Sequence, residues 1–349
     1  KDLPMIMKTY STFPFLSLAA ALGLSATCPL LGASDDSAPF LLDTRNYTES
    51  AASTVHTDRR AYLEADTVPG SLRQAIANAA AGETVDFDAS LSGETIVLGG
   101  DLVVDKAVLV DADALGSGVT VDAGAGANRI FDVVGGGDLT LEGLTLIGGN
   151  VSGTRGGAIY GQSGSSVTLR RCTLTGNTAL EGGAIFTFGP LLIENTTLTG
   201  NTGGYGGAVQ CLGTPSTITH STIAKNNASF GGGVYNKDTT LTLSNSIVAG
   251  NTDSIGSDIR NENASLTYAG ANIVNAVSNT GASSVTGPPA INAAPLFAPL
   301  ANYGGPTETM ALLPGSPAIE GAVLLGSTPA TDQSGNPRPS GPLPDIGAV

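Results

Sequence analysis

The sequence is poor in the residues that build metal sites and disulfide frameworks. Its 349 residues include only three cysteines and two histidines. Cys28 falls in the N-terminal apolar region, which leaves Cys172 and Cys211, and these two occupy different positions of the repeat described below. We therefore expect no disulfide bridge, a small buried thiol at Cys172, and no histidine-based metal cluster.

Charged residues are also scarce, and basic ones most of all. Fifteen Lys and Arg face thirty Asp and Glu, which gives a formal net charge of −15. An acidic surface disfavours nucleic acid and anionic membranes as partners. It equally disfavours polyuronates, unless calcium or a local basic patch intervenes. We expect no nucleic-acid partner.

Long apolar runs are missing after the N-terminus. Lys8 precedes an apolar run over 13–24, and small residues follow it, which is typical of a secretory signal peptide. We predict a signal peptide over 1–33 and a polar linker over 34–60. No later apolar run approaches the roughly 18 residues of a membrane span, so we expect no transmembrane helix. The predicted location is secreted, extracellular or on the outer cell surface.

What the sequence does contain is a repeat. Asparagine recurs every 24 or 25 residues. A diglycine follows each of the first three of these asparagines, and another diglycine lies one period before them. Each diglycine is followed by Ala-Ile, Ala-Val or Val234-Tyr235. A fixed period of this size is the signature of a solenoid. The asparagines are Asn177, Asn201, Asn226 and Asn251. Three residues before them stand Leu174, Leu198, Ile223 and Val248, and eight before stand Leu169, Ile193, Ile218 and Leu243.

Short β-branched segments between Gly, Asn, Thr and Ser predict strands joined by tight turns. The repeat carries no apolar period of 3.6 residues, so it predicts no helix. We predict an all-β fold, a right-handed parallel β-helix of about 25 residues per rung with three short strands per rung. The consecutive leucine spacing of leucine-rich repeats and the six-residue period of left-handed β-helices are both missing.

The sequence at the two ends of the solenoid lacks the regular repeat. Ser71 and Gln74 form a capping-box pattern, and the residues after them share one apolar face, which predicts a capping helix over 71–81. The β-helix with this helix is predicted over 61–286. Residues 287–349 are rich in Pro and Gly and are predicted to be a terminal cap or a tether. One elongated domain, a monomer, is expected.

The asparagine column has two interpretations. The functional one is polar ligand binding, and the structural one is an internal ladder. We favour the ladder, with the asparagines in left-handed corners and their amides bonding along the column.

Two known groups of proteins resemble this sequence. The tetrads at 156–159, 182–185 and 206–209 (GGAI, GGAI, GGAV), with LTGN at 174–177 and 198–201, are similar to the GGAI and FxxN repeats of chlamydial polymorphic outer membrane proteins, with Leu in place of Phe. The PGSLRQAI opening at 69–76 and the motifs YGGPTET, LPGSPAI, TDQSG and DIGA near the C-terminus resemble bacterial secreted β-helix proteins of the choice-of-anchor Q type. This resemblance implies a pectin-lyase-like β-helix, exported and attached to the cell surface, with adhesion as the commonest role and no established catalytic residues.

Two functions from different classes follow. The first is a non-catalytic surface protein that binds extracellular polysaccharide or a surface protein. The alternative is a polysaccharide lyase or glycoside hydrolase, which needs a positioned base or a pair of carboxylates. Between residues 150 and 260 the acids and bases are scattered over different columns. We therefore predict no catalytic residues, no metal site and no cofactor, with low-affinity calcium at the aspartates of the early coils as the one alternative.

One column suggests a binding surface. Arg155, Glu181 and Tyr205 each precede a diglycine, and Phe230 lies close by in the next rung. Two stacked rings with polar neighbours predict a sugar-binding surface. An exposed turn that tolerates any residue is the other interpretation. His220 shares the turn column of Arg171, Asn195 and Asn245 and is predicted to be a corner residue.

Overall fold

The computed structural model describes residues 60–61 and 70–349. The predicted signal peptide at 1–33, and the predicted linker apart from its last residue, lie outside the described residues and stay predictions. Among the described residues, no helix combines the length and the apolar character that a membrane crossing requires.

Within the described residues, an α-helix, Leu72–Asn78, precedes the regular coils. Ser71 caps it, because its side-chain oxygen accepts a hydrogen bond from the backbone N–H of Gln74. The reciprocal bond of a capping box is not made, since the Gln74 amide instead donates to Asn78 one turn later. The predicted apolar face of the helix (Leu72, Ala75, Ile76 and Ala79) is buried in the core. The helix therefore covers apolar side chains at the start of the solenoid.

The chain winds into stacked coils whose strands form four parallel sheets. Sheet 1 has ten strands: Arg60–Ala61, Glu83–Phe87, Ala107–Asp111, Asp138–Glu142, Ser166–Arg170, Leu191–Glu194, Ser216–Thr219, Thr240–Ser244, Ser265–Ala269 and Ser284–Thr286. Sheet 2 has eight: Thr95–Val97, Val119–Asp122, Leu144–Ile147, Thr173–Thr175, Thr197–Thr199, Thr222–Ala224, Ile247–Val248 and Ile273–Val274. Sheet 3 has four: Asn150–Arg155, Thr178–Glu181, Thr202–Tyr205 and Asn227–Phe230. Sheet 4 has eight: Leu102–Val104, Phe131–Val133, Ile159–Gly161, Ile185–Thr187, Val209–Leu212, Val234–Lys237, Ile259–Glu262 and Val277–Thr280.

The observed register confirms the parallel β-helix. Leu174 pairs with Leu198, and Leu198 with Ile223, in sheet 2. The second predicted column pairs in the same way in sheet 1, from Leu169 through Ile193 and Ile218 to Leu243. Both columns are buried in one continuous core. Burying one such side chain stabilises the fold by roughly 1.5–3 kcal/mol, so each coil is stabilised by the coil beneath it.

Four of the coils differ from the prediction of three strands per rung. In them a fourth short strand, that of sheet 3, leads to the glycines of the next corner; it follows Gly149 in the first of these coils and the ladder asparagine in the other three. The prediction that the asparagine itself adopts the left-handed conformation at this corner is wrong. The residue before it does so: Gly176, Gly200, Lys225 and Gly250 have φ between 58° and 72°. The asparagine follows the turn, and this position lets its side chain lie along the stack.

The asparagine side chains form a buried ladder along the coils. The Asn201 amide nitrogen donates to the carbonyls of Leu174 and Thr199 and to Oδ1 of Asn226, at 2.9–3.2 Å. Oδ1 of Asn226 also accepts from the backbone N–H of Asn201 at 2.9 Å. The same pattern is repeated in neighbouring coils. Each asparagine thus satisfies polar groups of two coils that would otherwise be buried without a partner.

A second ladder runs along the corner between sheets 1 and 2. The backbone N–H of Cys172 donates to Thr196 Oγ1, that of Thr196 to Ser221 Oγ, and that of Ser221 to Ser246 Oγ, at 3.1–3.3 Å. The column ends at Asn272, whose Oδ1 accepts from the N–H of Ser246. A small hydroxyl side chain suits this corner because it reaches one coil and no further.

The residues after the last coil turn back along the side of the solenoid. We call residues 295–349 the strap. Thr173 Oγ1 donates to Glu308 O at 2.6 Å, Thr197 Oγ1 donates to Gln333 Oε1 at 2.7 Å, and the N–H of Ala348 donates to Thr222 Oγ1 at 3.1 Å. The strap therefore lies on the outward threonines of sheet 2. A smaller second core forms where it meets the last coils, from Ile247, Ala249, Ile273, Ala318, Ala322 and Ile346.

Candidate functional site

The four predicted binding residues form one file at the end of sheet 3. Arg155 is in register with Glu181, Glu181 with Tyr205, and Tyr205 with Phe230. In a parallel sheet such neighbours are one coil, about 4.8 Å, apart. The structure thus brings together all four residues that the sequence singled out, while their binding role stays a prediction.

A second file of side chains faces them from sheet 4. Its central members are in register: Tyr160, Phe186, Gln210, Tyr235 and Arg260. The two files enclose a groove of about 520 Å³. It is lined by Arg155, Glu181, Tyr205, Gln210, Leu212, Phe230, Tyr235, Lys237, Arg260 and Glu262. The groove crosses several coils and so runs along the solenoid axis.

The glycine after each sheet 3 strand makes the corner between the two files. Gly182 has φ 63° and Gly206 has φ 69°, a region that favours glycine. A Cβ at Gly182 would overlap the carbonyl of Ile185 in the same coil. The sharp return of the chain at this point places the end of one strand opposite the start of the next, and their outward side chains meet.

Aromatic rings are concentrated in this corner. Tyr205 stacks on Phe230 with centroids 5.4 Å apart and rings inclined by 18°, and its centroid lies 5.4 Å from that of Tyr235 in the other file. Further along, the Arg155 guanidinium lies 5.0 Å from the Phe186 ring centroid and 5.3 Å from that of Phe188. Tyr205 is 37% exposed, so the platform is open to a ligand. Offset rings of this kind offer apolar faces to the C–H groups of a flat partner.

The charges in the groove are arranged in pairs. Arg155 Nε donates to Glu181 Oε2 at 2.8 Å, and this hydrogen bond is the main reason that the pKa of Arg155 is raised. Lys237 Nζ lies 3.0 Å from Glu262 Oε1, and the hydrogen bond between them raises the pKa of Lys237. Both cations therefore stay charged well beyond neutral pH.

Glu262 is the most connected carboxylate of the groove. Its Oε2 accepts a hydrogen bond from Tyr235 Oη at 2.8 Å and lies 3.8 Å from Arg260 Nη2. Burial opposes ionisation of Glu262, but the bonds from Lys237 and Tyr235 outweigh it and its pKa is lowered. The pKa of Tyr235 is raised, first by burial and then by the carboxylate beside it. Across neutral pH, Glu262 stays ionised and Tyr235 stays protonated.

Two polar atoms in the groove wall have no partner within the protein. Gln210 is 3% exposed, and its Oε1 accepts no hydrogen bond. The Nε of Arg260 is buried and donates to no acceptor, while its Nη1 donates to Ser278 Oγ at 3.0 Å. Both atoms are shielded from solvent, so they belong to the wall beneath the groove and not to its open surface.

Sequence reasoning missed the sheet 4 half of the groove, and one alignment error explains part of this. An alignment of the fourth unit on Gly232-Gly233 predicts that Tyr235 is in line with the inward Val209. The structure pairs Val209 with Val234 and Gln210 with Tyr235, so Tyr235 points outward into the groove. In the same unit Gly231 has the positive φ of the corner, and Phe230 directly precedes it. The signal was the triple glycine at 231–233, which allows two alignments.

The other predicted residues lie away from the groove. His220 is a corner residue as expected, with φ 44° beside φ 45° at both Asn195 and Asn245. Cys172 and Cys211 are both free and buried, and burial raises the pKa of Cys172 to about 12 and of Cys211 to about 11. Neither thiol is therefore a nucleophile at neutral pH.

The aspartates of the early coils bond within the protein. Asp101 pairs with Arg129 at 2.8 Å, Asp111 and Asp122 accept from backbone N–H groups two residues on, and Asp132 accepts from Gln162. Among residues 70–349, no group of three or more His, Cys, Asp and Glu side chains is placed to hold a metal ion. Low-affinity calcium at these aspartates stays an untested expectation.

Four groups of the groove have shifted pKa values: those of Arg155, Tyr235 and Lys237 are raised and that of Glu262 is lowered. Each of these four groups keeps one protonation state near neutral pH. The rings of Tyr205 and Phe230 stack in successive coils along the axis.

A scan against models of known protein families finds no match, and a search of curated proteins finds none either.

Proposed function

We propose that this protein is exported and acts at the outer cell surface or in the extracellular space as a non-catalytic binder of an extended glycan. The observation that carries the proposal is the stack of aromatic rings, flanked by charged and polar side chains, along one groove of a parallel β-helix. Sugars are recognised by ring faces together with a few well-placed polar groups.

Export and surface location are supported by the sequence alone. Lys8 and the apolar run over 13–24 have the order of a secretory signal. The similarity to choice-of-anchor Q proteins and polymorphic outer membrane proteins supports the same location and an adhesive role. An epitope-tagged chain is expected in the medium or on intact cells, and retention inside the cell would contradict this part of the proposal.

The alternative, a polysaccharide lyase or glycoside hydrolase, is less well supported. A lyase base must accept a proton near neutral pH, but Lys237 and Tyr235 have raised pKa values. A hydrolase acid must hold a proton, but Glu262 has a lowered pKa. The groove residues thus favour retention of a glycan over its cleavage.

The test is a glycan array followed by affinity measurement with the purified protein. We expect binding to at least one polysaccharide, and the double variant Tyr205→Ala, Phe230→Ala to weaken it by about 1–3 kcal/mol, because both ring faces are lost. That is roughly a 5- to 150-fold loss of affinity.

Tyr303→Ala is the matched control, because Tyr303 is an exposed ring on the strap outside the groove. It should leave the affinity unchanged. Release of unsaturated sugars or of reducing ends during the same incubation would support the enzyme instead. Equal binding by the double variant would remove the groove from the proposal.

A further inference from the structure

The solenoid is open at the end formed by its last coil. Ser284–Thr286 is the last strand of sheet 1 and Val277–Thr280 is the last strand of sheet 4, and within the described residues no further strand pairs beyond either of them. All three residues of Ser284–Thr286 are exposed. A strand edge of this kind presents unpaired backbone N–H and C=O groups that can bond to another chain.

A core position is also uncovered at this end. Val285 is in register with Leu266, which points into the core and is fully buried, yet Val285 itself is 42% exposed. Leu241, one coil before Leu266 in the same column, is fully buried as well. The last coil therefore ends in a face like those that pack together inside the solenoid, but without the next coil that would cover it.

A side-chain ladder on sheet 4 stops at the same face. The Asn236 amide nitrogen donates to Oδ1 of Asn261 at 2.8 Å, and that of Asn261 donates to Oδ1 of Asn279 at 2.9 Å. Asn279 is exposed, and its own amide nitrogen donates to no other residue of the described chain. The ladder thus leaves a hydrogen-bond donor at the open end, next to the unpaired strand edges.

The open end carries no charge of its own. Residues 263–307, which include the last coil, contain no Asp, Glu, Lys, Arg or His, although charged residues make up 13% of the chain. Proteins commonly protect an open strand edge with charged side chains, lysine above all. Two chains, each with a net charge of −15, can meet at this face without bringing like charges into contact.

The opposite end of the solenoid is closed, which decides how two copies can join. The helix Leu72–Asn78 buries its apolar face in the core there. Stacking head to tail is therefore blocked, and two copies meet through the same face on both. Such a contact has two-fold symmetry and is complete with two copies. Around a two-fold axis at Val285, Ser284 of one copy lies opposite Thr286 of the other in an antiparallel pair.

We propose that this protein forms a two-fold dimer through the open end of its solenoid, with the Ser284–Thr286 strands paired antiparallel and the two Val285 side chains in contact. The dimer replaces the monomer expected from the sequence. It brings two grooves close to the joint, because Arg260 and Glu262 of the groove lie on the strand next to the last of sheet 4. Dimerisation rests on the strand edges and not on glycan binding, so either can be wrong without the other.

Sedimentation of the purified full chain over a range of concentrations tests the dimer. The contact is small, so we expect a dissociation constant on the order of 10 μM. Small-angle scattering should give a maximum dimension about twice that of the monomer, because the copies join end to end along the axis. A chain that stays monomeric well above this concentration, a dimer with the copies side by side, or growth beyond two copies would overturn the proposal.

A charge at the two-fold axis should break the dimer. Val285→Lys should weaken self-association at least about tenfold, because two lysines would meet at the joint. Val103→Lys is the matched control: Val103 is an exposed valine in a strand of sheet 4, and its replacement makes the same change of net charge. It should leave the dissociation constant unchanged. Equal effects of the two variants would place the contact elsewhere and overturn the proposal.

A cysteine at the same position gives a second measurement. The Cβ atoms of directly opposite residues in an antiparallel pair are about 4.5–5.5 Å apart, close to the separation in a disulfide. Cys172 and Cys211 are buried and do not compete. Mild oxidation should link Val285→Cys chains into a covalent dimer and leave Val103→Cys chains separate. Linking of both variants to the same extent, or of neither, would contradict the two-fold contact at Val285.

Discussion

Asn251 donates both its backbone N–H and its side-chain amide to Oδ1 of Asp258, at 2.8 and 3.0 Å. In every preceding coil of the ladder the acceptor is another asparagine, one coil on. The ladder of carboxamides therefore ends on a carboxylate. Asp258 is 3% exposed and lies seven residues from Asn251 rather than a full coil away.

The pH dependence of stability should report on Asp258. Burial is the main reason that its pKa is raised, although N–H donors from Asn251 and Ala276 oppose the shift. A carboxyl group whose folded pKa is raised binds protons more tightly when folded, so stability is lost as pH rises from about 3.9, the unfolded value, through the folded pKa. The Tm of the wild type minus that of Asp258→Asn should therefore fall as pH rises from about 3.5 to 7. A difference that does not vary with pH would contradict this account.

The ladder itself should carry much of the stability of the middle coils. Asn226→Ala removes the acceptor for two N–H groups of Asn201 and the donor to the carbonyls of Leu198 and Ala224. Each buried group left unpaired costs about 1–3 kcal/mol, so we expect a loss of about 3 kcal/mol or more in the free energy of unfolding. Chemical denaturation measures it.

The control for this prediction is the next residue. Asn227→Ala changes an exposed asparagine of the same coil and should cost less than about 1 kcal/mol. Equal losses from the two variants would mean that the ladder contributes little.

His220 should make the protein sensitive to mild acid. Arg338 of the strap contacts its Nδ1, and Nε2 lies 3.1 Å from the Asn245 amide nitrogen. Both ring nitrogens thus face donors, and burial, followed by the charge of Arg338, lowers the pKa of His220 to about 3. A histidine with a depressed pKa stabilises the fold above the unfolded value of about 6.5, and this stability is lost as pH falls below it. At pH 5 the loss is about 2 kcal/mol.

His220→Asn tests this directly, because asparagine already occupies the same corner at residues 195 and 245. The variant should lose less stability than the wild type between about pH 7.5 and 5, measured by thermal unfolding. Parallel pH profiles for the two proteins would show that His220 is not the group responsible.

The corner glycines should differ sharply in their tolerance of a side chain. Gly176 and Gly182 have φ of 67° and 63°, so alanine in either pays about 1–2 kcal/mol for the left-handed conformation. Only at Gly182 would the new Cβ overlap a carbonyl oxygen, whereas Gly176 has open space. Gly182→Ala should therefore lower the unfolding free energy by about 2 kcal/mol more than Gly176→Ala. Equal effects in denaturation would mean that the corner is less crowded than described.

The fold and half of the groove followed from the sequence, because the repeat length itself encodes the register. Once Asn177 and Asn201 are aligned, Leu174 falls on Leu198 and Glu181 on Tyr205, as the strand pairing shows. The sheet 4 half of the groove could not be predicted from the sequence. Whether Gln210 faces Tyr205 depends on the angle at the glycine corner, and the spacing of residues carries no information about that angle.

The docking of the strap on the coils could not be predicted from the sequence either. Its sequence has no period, and its bonds join residues far apart in the chain: Thr197 and Gln333, for example, are 136 positions apart. The sequence predicted a cap or a tether from Pro and Gly content alone. It docks on the outward threonines of sheet 2 and on the corner residues Asn195, His220 and Asn245, and the alignment shows both columns without indicating that a later segment covers them.

The bonds between Gln333, the backbone carbonyl of Cys172 and the hydroxyl of Thr173 also impose an order on assembly. Synthesis runs from the N-terminus, so the coils leave the ribosome before residues 295–349. Until those residues follow, the hydroxyls of Thr173, Thr197 and Thr222 lack their partners in the strap, and Ile247 and Ile273 lack part of their apolar cover. A nascent chain therefore exposes a partly apolar flank that the strap covers only after the coils have been made.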